Sequence, residues 1–251
     1  MPAAQPKYPF VTRSSLSILA GILSGRRRSF RSDACAMTFQ LKNPIQIQGS
    51  LPDFAAKSWL IVCNHYSRPG FGAWWIPLGI ASIVHHEMHW IVTAAWRFDD
   101  PLRSRTITPL SHWFLQRVSR AYGFTCMPPM PPYPGDVGQR ARSVRAVLRY
   151  IEMNPHPVLG LSPEGADSYY GDLQPPPPGT GRFAALLAKR NFHLLPIGVF
   201  EQQQRLCLSI GEAQQLPTPT GESKVRDRQL ADFVMRTIAA CLPPHLRGPY
   251  A

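Results

Sequence analysis

Leu60-Ile61-Val62-Cys63-Asn64-His65-Tyr66-Ser67-Arg68-Pro69-Gly70-Phe71 is the stretch that decides how this chain folds. Its first four residues are apolar and rich in β-branched types, the composition of a strand buried on both faces. The strand runs into an Asn-His pair, then into a turn of Ser67, Arg68, Pro69 and Gly70. The apolar, aromatic residues 71–84 that follow are expected to be helical despite Pro77. A strand that carries a histidine to its carboxyl end, ahead of a helix, is how open α/β sheets set reactive groups in a cleft. A structural histidine, hydrogen-bonded at a strand end, fits this stretch equally well.

Working outward, residues 90–94, 123–127, 158–161, 194–200 and 205–210 read as further strands. Residues 109–122, 136–153, 182–190 and 227–242 have helical spacing, clearest where Val144, Val147, Leu148 and Ile151 form a stripe. Upstream, Phe39-Gln40-Leu41 and Ile45-Gln46-Ile47 alternate apolar and polar and predict a strand pair or one interrupted strand. Strands separated by helices imply an α/β fold with a mostly parallel or mixed central sheet. Residues 1–37 read as a poorly structured tail with one short amphipathic helix, and 38–251 as the folded domain. There is no internal repeat.

The formal charge is +12 over 251 residues, which favours anionic partners: nucleic acid, an anionic membrane surface or phosphate-bearing substrates. The basic residues are dispersed, without a recognition module, so nucleic acid is not expected. The five cysteines are far apart and include no Cys-x-x-Cys pair, so neither a disulfide framework nor a zinc site is implied, and a reduced, cytoplasmic compartment is expected. No run approaches the roughly 18 to 20 apolar residues that span a bilayer. Leu16 to Leu23, followed by Arg26-Arg27-Arg28, is short enough to lie in a membrane interface or to pack on the domain. Peripheral membrane association is the expectation.

Two strand ends carry chemistry, Asn64-His65 and Pro163-Glu164-Gly165, and in a parallel sheet both would open on one edge. A histidine there can act as general base, Glu164 can accept hydroxyl hydrogen bonds, and Gly165 allows close approach of backbone to a ligand. His85, His86 and His89 lead into a strand, where that spacing separates the rings, so no metal site is expected. Gly179-x-Gly181 before a helix fits a phosphate at the helix N-terminus, or ordinary capping.

Together these elements resemble the glycerolipid acyltransferase superfamily, in particular the lysophospholipid (1-acylglycerol-3-phosphate) acyltransferases. The resemblance rests on Val62-Cys63-Asn64-His65, then Leu161-Ser162-Pro163-Glu164-Gly165-Ala166-Asp167-Ser168, then Leu195-Pro196-Ile197-Gly198-Val199, in that order and spacing. It covers nearly all of the chain from about residue 39. It implies an enzyme in which His65, beside Asn64, deprotonates the hydroxyl of a lipid acceptor, which attacks an acyl thioester on coenzyme A or acyl carrier protein. Ser67, Arg68, Pro163, Glu164, Gly165 and Ser168 are the implied substrate-binding residues. No metal or prosthetic group is implied.

The chain departs from the family pattern in three places, one being that the arginine of the family's second motif is not evident near Gly123–Met127. Gly70 stands where the family has the aspartate that orients the histidine, and no carboxylate lies between His65 and Glu87. Glu87, Asp99, Asp100 and Glu164 are the candidate substitutes. Asp167 stands where the family has an arginine, leaving Arg68 or Arg182 as candidate phosphate ligands. The alternative implied by Gly70 is an acyltransferase-fold protein that binds lipid or acyl thioester with little or no turnover.

Overall fold

All five residues of β2 (Trp59–Cys63) are buried, as a strand covered on both faces requires. In the computed structural model, which describes residues 5–9, 12–98, 100–130, 134–165, 171–218 and 220–251, it lies at the centre of an eight-stranded sheet. The strands are β1 (Gln46–Gln48), β2, β3 (Met88–Thr93), β4 (Thr125–Met127), β5 (Val158–Leu161), β6 (His193–Gln202), β7 (Arg205–Ile210) and β8 (Gln214–Gln215). Their order is β1-β7-β6-β2-β5-β3-β4, with β8 on β6. The pairs β6–β2, β2–β5, β5–β3 and β3–β4 are parallel, while β7 and β8 run antiparallel to β6.

Alternate side chains of β2 leave the sheet on opposite faces. Ile61 packs in a core with Ile76 and Ile80 of α3 (Trp75–Ile83) and Phe30 and Ala34 of α2 (Phe30–Thr38). Leu60 and Val62 pack on the other side with Leu187 of α6 (Thr180–Ala188) and Val234 and Ile238 of α7 (Ser223–Ala240). The result is the expected helix–sheet–helix layering.

The helices α1 (Arg13–Leu23), α4 (Pro101–Tyr122) and α5 (Val137–Met153) complete the fold. Helix α4 begins eight residues earlier than its apolar spacing predicts, because Pro109 sits inside it. Asp100 caps its start by accepting from the Arg103 N–H at 2.8 Å, and Gly123, at φ +74°, ends it.

Two expectations near the N-terminus are corrected. Phe39-Gln40-Leu41 is not a strand: Phe39 is the exposed C-cap of α2, and only Gln46–Gln48 joins the sheet, parallel to β7. The 1–37 segment holds a second helix, most of α2, whose apolar face belongs to the core. Arg28 makes two 2.6 Å hydrogen bonds to Asp33, which also accepts from the Tyr122 hydroxyl at 2.8 Å, tying α2 to the end of α4. Among the described residues no helix is long and apolar enough to cross a membrane.

Candidate functional site

Strands β2 and β5 are parallel neighbours with Val62 opposite Leu161, so the chain leaves both on the same edge of the sheet. His65 follows β2 by two residues and Glu164 follows β5 by three. There the His65 backbone N–H donates to Glu164 Oε1, and the Gln174 N–H donates to Oε2 at 2.7 Å. Glu164 is buried, at 5 % exposure. Burial pushes its carboxyl up to about 7, against the opposing pull of the two backbone N–H groups and the His65 charge.

Asn64 does a different job from the catalytic one expected of it. Its side-chain amide donates to the Val199 carbonyl at 2.8 Å and accepts from the Val199 N–H at 2.7 Å. This fully buried pair fastens the end of β2 to β6, and through it Asn64 holds the backbone that carries His65.

The turn after His65 is closed by the Phe71 N–H donating to the Arg68 carbonyl at 3.0 Å, with Pro69 and Gly70 at its centre. Gly70 is exposed at φ +79°, the conformation that the third position of a type II turn demands. Gly171 (φ +75°) passes so close to this loop that a Cβ there would lie 2.4 Å from the Ser67 carbonyl oxygen. Ser67 is half-buried, Pro163 buried, and Gly165 exposed at φ +73°. Ser168, Asp167 and Asp99 lie outside the described residues.

Arg68 is engaged. Its Nε and Nη2 grip the Glu201 carboxylate at 2.6 and 2.7 Å, Nη2 also donates to the Pro6 carbonyl at 3.0 Å, and Nη1 to the Pro69 carbonyl at 2.7 Å. Tyr8 donates its hydroxyl to the same carboxylate at 2.7 Å and packs on Phe71 and Trp75. Four of the five guanidinium N–H groups are therefore committed to holding the loop, which removes Arg68 from the candidate phosphate ligands. The segment 5–9, expected to be loose, is pinned by these contacts.

Gly179 and Arg182 are likewise accounted for. Asp227 of α7 accepts from the Gly179 N–H at 2.9 Å and the Arg182 N–H at 2.8 Å, so a carboxylate of the chain itself fills the start of α6. Of the candidate partners for His65, Asp100 caps α4 and Glu87 accepts from the Ser29 hydroxyl. Glu164 is a carboxylate whose charge interacts with that of His65. His89 is buried, with Nε2 2.9 Å from the Thr125 hydroxyl oxygen, and His85 Nδ1 lies 3.0 Å from Arg31 Nη2. Among the described residues no cluster of metal-ligating side chains exists.

Sequence reasoning missed Glu201, Tyr8 and Tyr66, whose hydroxyl lies 3.4 Å from Glu201. The one signal was an acidic residue at the end of an otherwise apolar strand. It also missed that Cys63, beside the Ser162 hydroxyl at 3.2 Å, has its thiol pushed up to about 12 by burial and stays protonated, so it offers no nucleophile.

Neither a protein-family model nor a curated protein matches the chain at the level of sequence. A solved structure does match its fold: the 1-acyl-sn-glycerophosphate (LPA) acyltransferase PlsC from Thermotoga maritima, at 15 % identity and a TM-score of 0.51. The match covers 96 % of this chain and 86 % of that one. The chain shares the α/β fold of that acyltransferase, with its mostly parallel central sheet flanked by helices.

Proposed function

We propose that the protein is an O-acyltransferase, moving a fatty acyl group from an acyl thioester to a hydroxyl of a lysophospholipid or related lipid acceptor. The carrier of the thioester is coenzyme A or acyl carrier protein. The carrying observation is the hydrogen bond from the His65 N–H to Glu164, which joins the Asn-His and Pro-Glu-Gly segments at one sheet edge. The likeness in fold to an LPA acyltransferase supports the same class of reaction.

In this scheme the His65 ring takes the proton of the acceptor hydroxyl as its oxygen attacks the thioester carbonyl carbon. The tetrahedral intermediate collapses, the carbon–sulfur bond breaks, and the thiolate takes the proton back from the imidazolium. An ester and a free thiol result. Glu164 fixes the His65 backbone, and its negative charge favours the imidazolium. The scheme needs neither a metal nor a prosthetic group.

The test is transfer from a labelled acyl-CoA or acyl carrier protein to a panel of lysophospholipids, with His65→Ala as comparison. Loss of the general base is expected to cost about 10²- to 10⁴-fold in rate. Equal background rates in the two proteins would sink the proposal. Gly70 favours a second reading, a lipid- or thioester-binding protein without turnover, since residues 66–86 supply no carboxylate. Acyl-CoA binding without transfer in the wild type would select it.

A further inference from the structure

Far from His65, at the opposite ends of the strands, a cavity of about 500 Å³ opens beside β4 between the last turns of α4 and α5. Phe124, Tyr150 and Met153 give it apolar walls, and Arg27, Arg120 and Arg149 bring three exposed guanidiniums to its mouth. No hydrogen bond or ion pair with any described residue ties down these three side chains. They are not needed as helix caps, because the nearby carbonyls already have donors. The Arg28 N–H serves Ala121, the Phe124 N–H serves Ser119, and the Asn154 side chain serves Tyr150 at 2.7 Å. The two helix ends contribute roughly half a negative charge each, so three arginines leave the mouth with a charge of about +2.

The same cavity borders an exposed apolar face. Helix α1 packs on α4, with Arg117 Nη1 donating to the Leu23 carbonyl at 2.6 Å. On α1, Leu16, Leu19 and Leu23 project to solvent at helical spacing. On α4, Leu102, Thr106, Leu110, Trp113, Arg117 and Arg120 recur at steps of three and four, so a single face runs from leucine and tryptophan to arginine. Leu110 is 62 % exposed and Trp113 46 %, with the Arg117 guanidinium 5.3 Å from the centre of the Trp113 ring. Leucine and tryptophan side chains ending in a ring of arginines match the interface of an anionic bilayer, where apolar groups insert and arginines meet phosphates.

We infer that Arg27, Arg120 and Arg149 clamp the headgroup phosphate of an anionic phospholipid when the leucine–tryptophan face of α1 and α4 lies on a bilayer. This adds α4 and a phosphate site to the short N-terminal helix that the sequence marks for the interface. It stands apart from the acyl-transfer proposal, because its residues and its readout are separate from those of His65.

The experiment sediments the full chain with vesicles of phosphatidylcholine alone or with phosphatidylglycerol. Each basic side chain near an anionic surface is worth about fivefold, so replacing all three arginines by glutamine should weaken binding to the anionic vesicles roughly a hundredfold. The same change of charge on α7, with Lys224, Arg226 and Arg228 replaced by glutamine, should leave it within a few-fold. Trp113→Ser should weaken binding to both vesicle types. His65→Ala should bind vesicles like the wild type, so a failure of catalysis and a failure of docking are told apart. Equal losses in the two triple variants would reduce the effect to bulk charge and overturn the inference. So would unchanged vesicle binding in the arginine variant alongside loss of binding to free inorganic phosphate, which would make the cavity a site for soluble anions.

Discussion

β2 has two parallel neighbours, and each delivers a glutamate to the loop that holds His65, Glu164 buried and Glu201 half-buried. Glu201, near the end of β6, is gripped by Arg68 and receives the hydroxyl of Tyr8. Glu164, just beyond β5, is held by two backbone N–H groups and has no arginine or lysine beside it among the described residues. The same side chain is thus used in two ways. With a guanidinium partner the carboxylate becomes a fastener for the loop and the N-terminal segment. Without one it is pushed up to about 7, where a small change of surroundings or pH decides its charge. The glutamate poised to respond is the one bonded to the residue that carries the proposed chemistry.

The largest stability effect is expected where that contrast is broken on the Glu201 side. The Arg68–Glu201 pair has side-chain exposures of only 12 % and 7 %, so Arg68→Ala would strand a buried charge. Such losses cost about 3–5 kcal/mol, measurable by urea unfolding. Replacing the pair together, Arg68→Met with Glu201→Leu, should restore most of that stability. If the double variant is as unstable as the single one, the cluster matters for the Tyr8 and Pro6 contacts and not for charge pairing.

On the other side the effect is one of pH. The folded protein holds the Glu164 carboxyl near 7 against an ordinary 4.5, so it binds this proton more tightly than the unfolded chain does. The associated stability is fully present below about 4.5 and is lost as pH rises through 7. At about 1.4 kcal/mol per pH unit, the range amounts to roughly 3 kcal/mol. Glu164→Gln removes it, so the stability of wild type relative to the variant should fall from pH 5 to pH 8. A difference independent of pH would show that Glu164 stays ionised throughout.

These two sides were not equally legible. The runs Leu60–Val62 and Val158–Leu161 announce buried strands whatever surrounds them, and their neighbouring ends follow from a parallel sheet. Glu164 could therefore be placed near His65 before any coordinates. Glu201 could not, because its partner lies 133 residues away along the chain and an acidic residue ending an apolar strand does not say which cation it meets. Pro109 hid the first half of α4, since a proline inside a helix is rarer than one that ends it. Residues 39–41 misled in the opposite sense: three residues of alternation are too few to separate a strand from the last turn of a helix. Asn64 was legible as an important residue but not as a fastener, a role that depends on the backbone of Val199.

The smallest effect on stability bears most directly on the chemistry. Gly70 sits at φ +79° in an exposed turn, and the closest group to an added Cβ is Arg68 Nη1 at 3.4 Å, so space is not the obstacle. The backbone is, since a side chain in that conformation costs about 1–2 kcal/mol, and less for aspartate than for alanine. Gly70→Ala should therefore unfold more easily than wild type, with Gly70→Asp in between. If a carboxylate at this position can reach the His65 ring, the aspartate variant alone should turn over faster, because a neighbouring negative charge favours the imidazolium formed during transfer. If both variants turn over alike, Glu164 already supplies what the turn lacks, and the two glutamates around β2 have divided between them the work of holding the loop and of stabilising its charge.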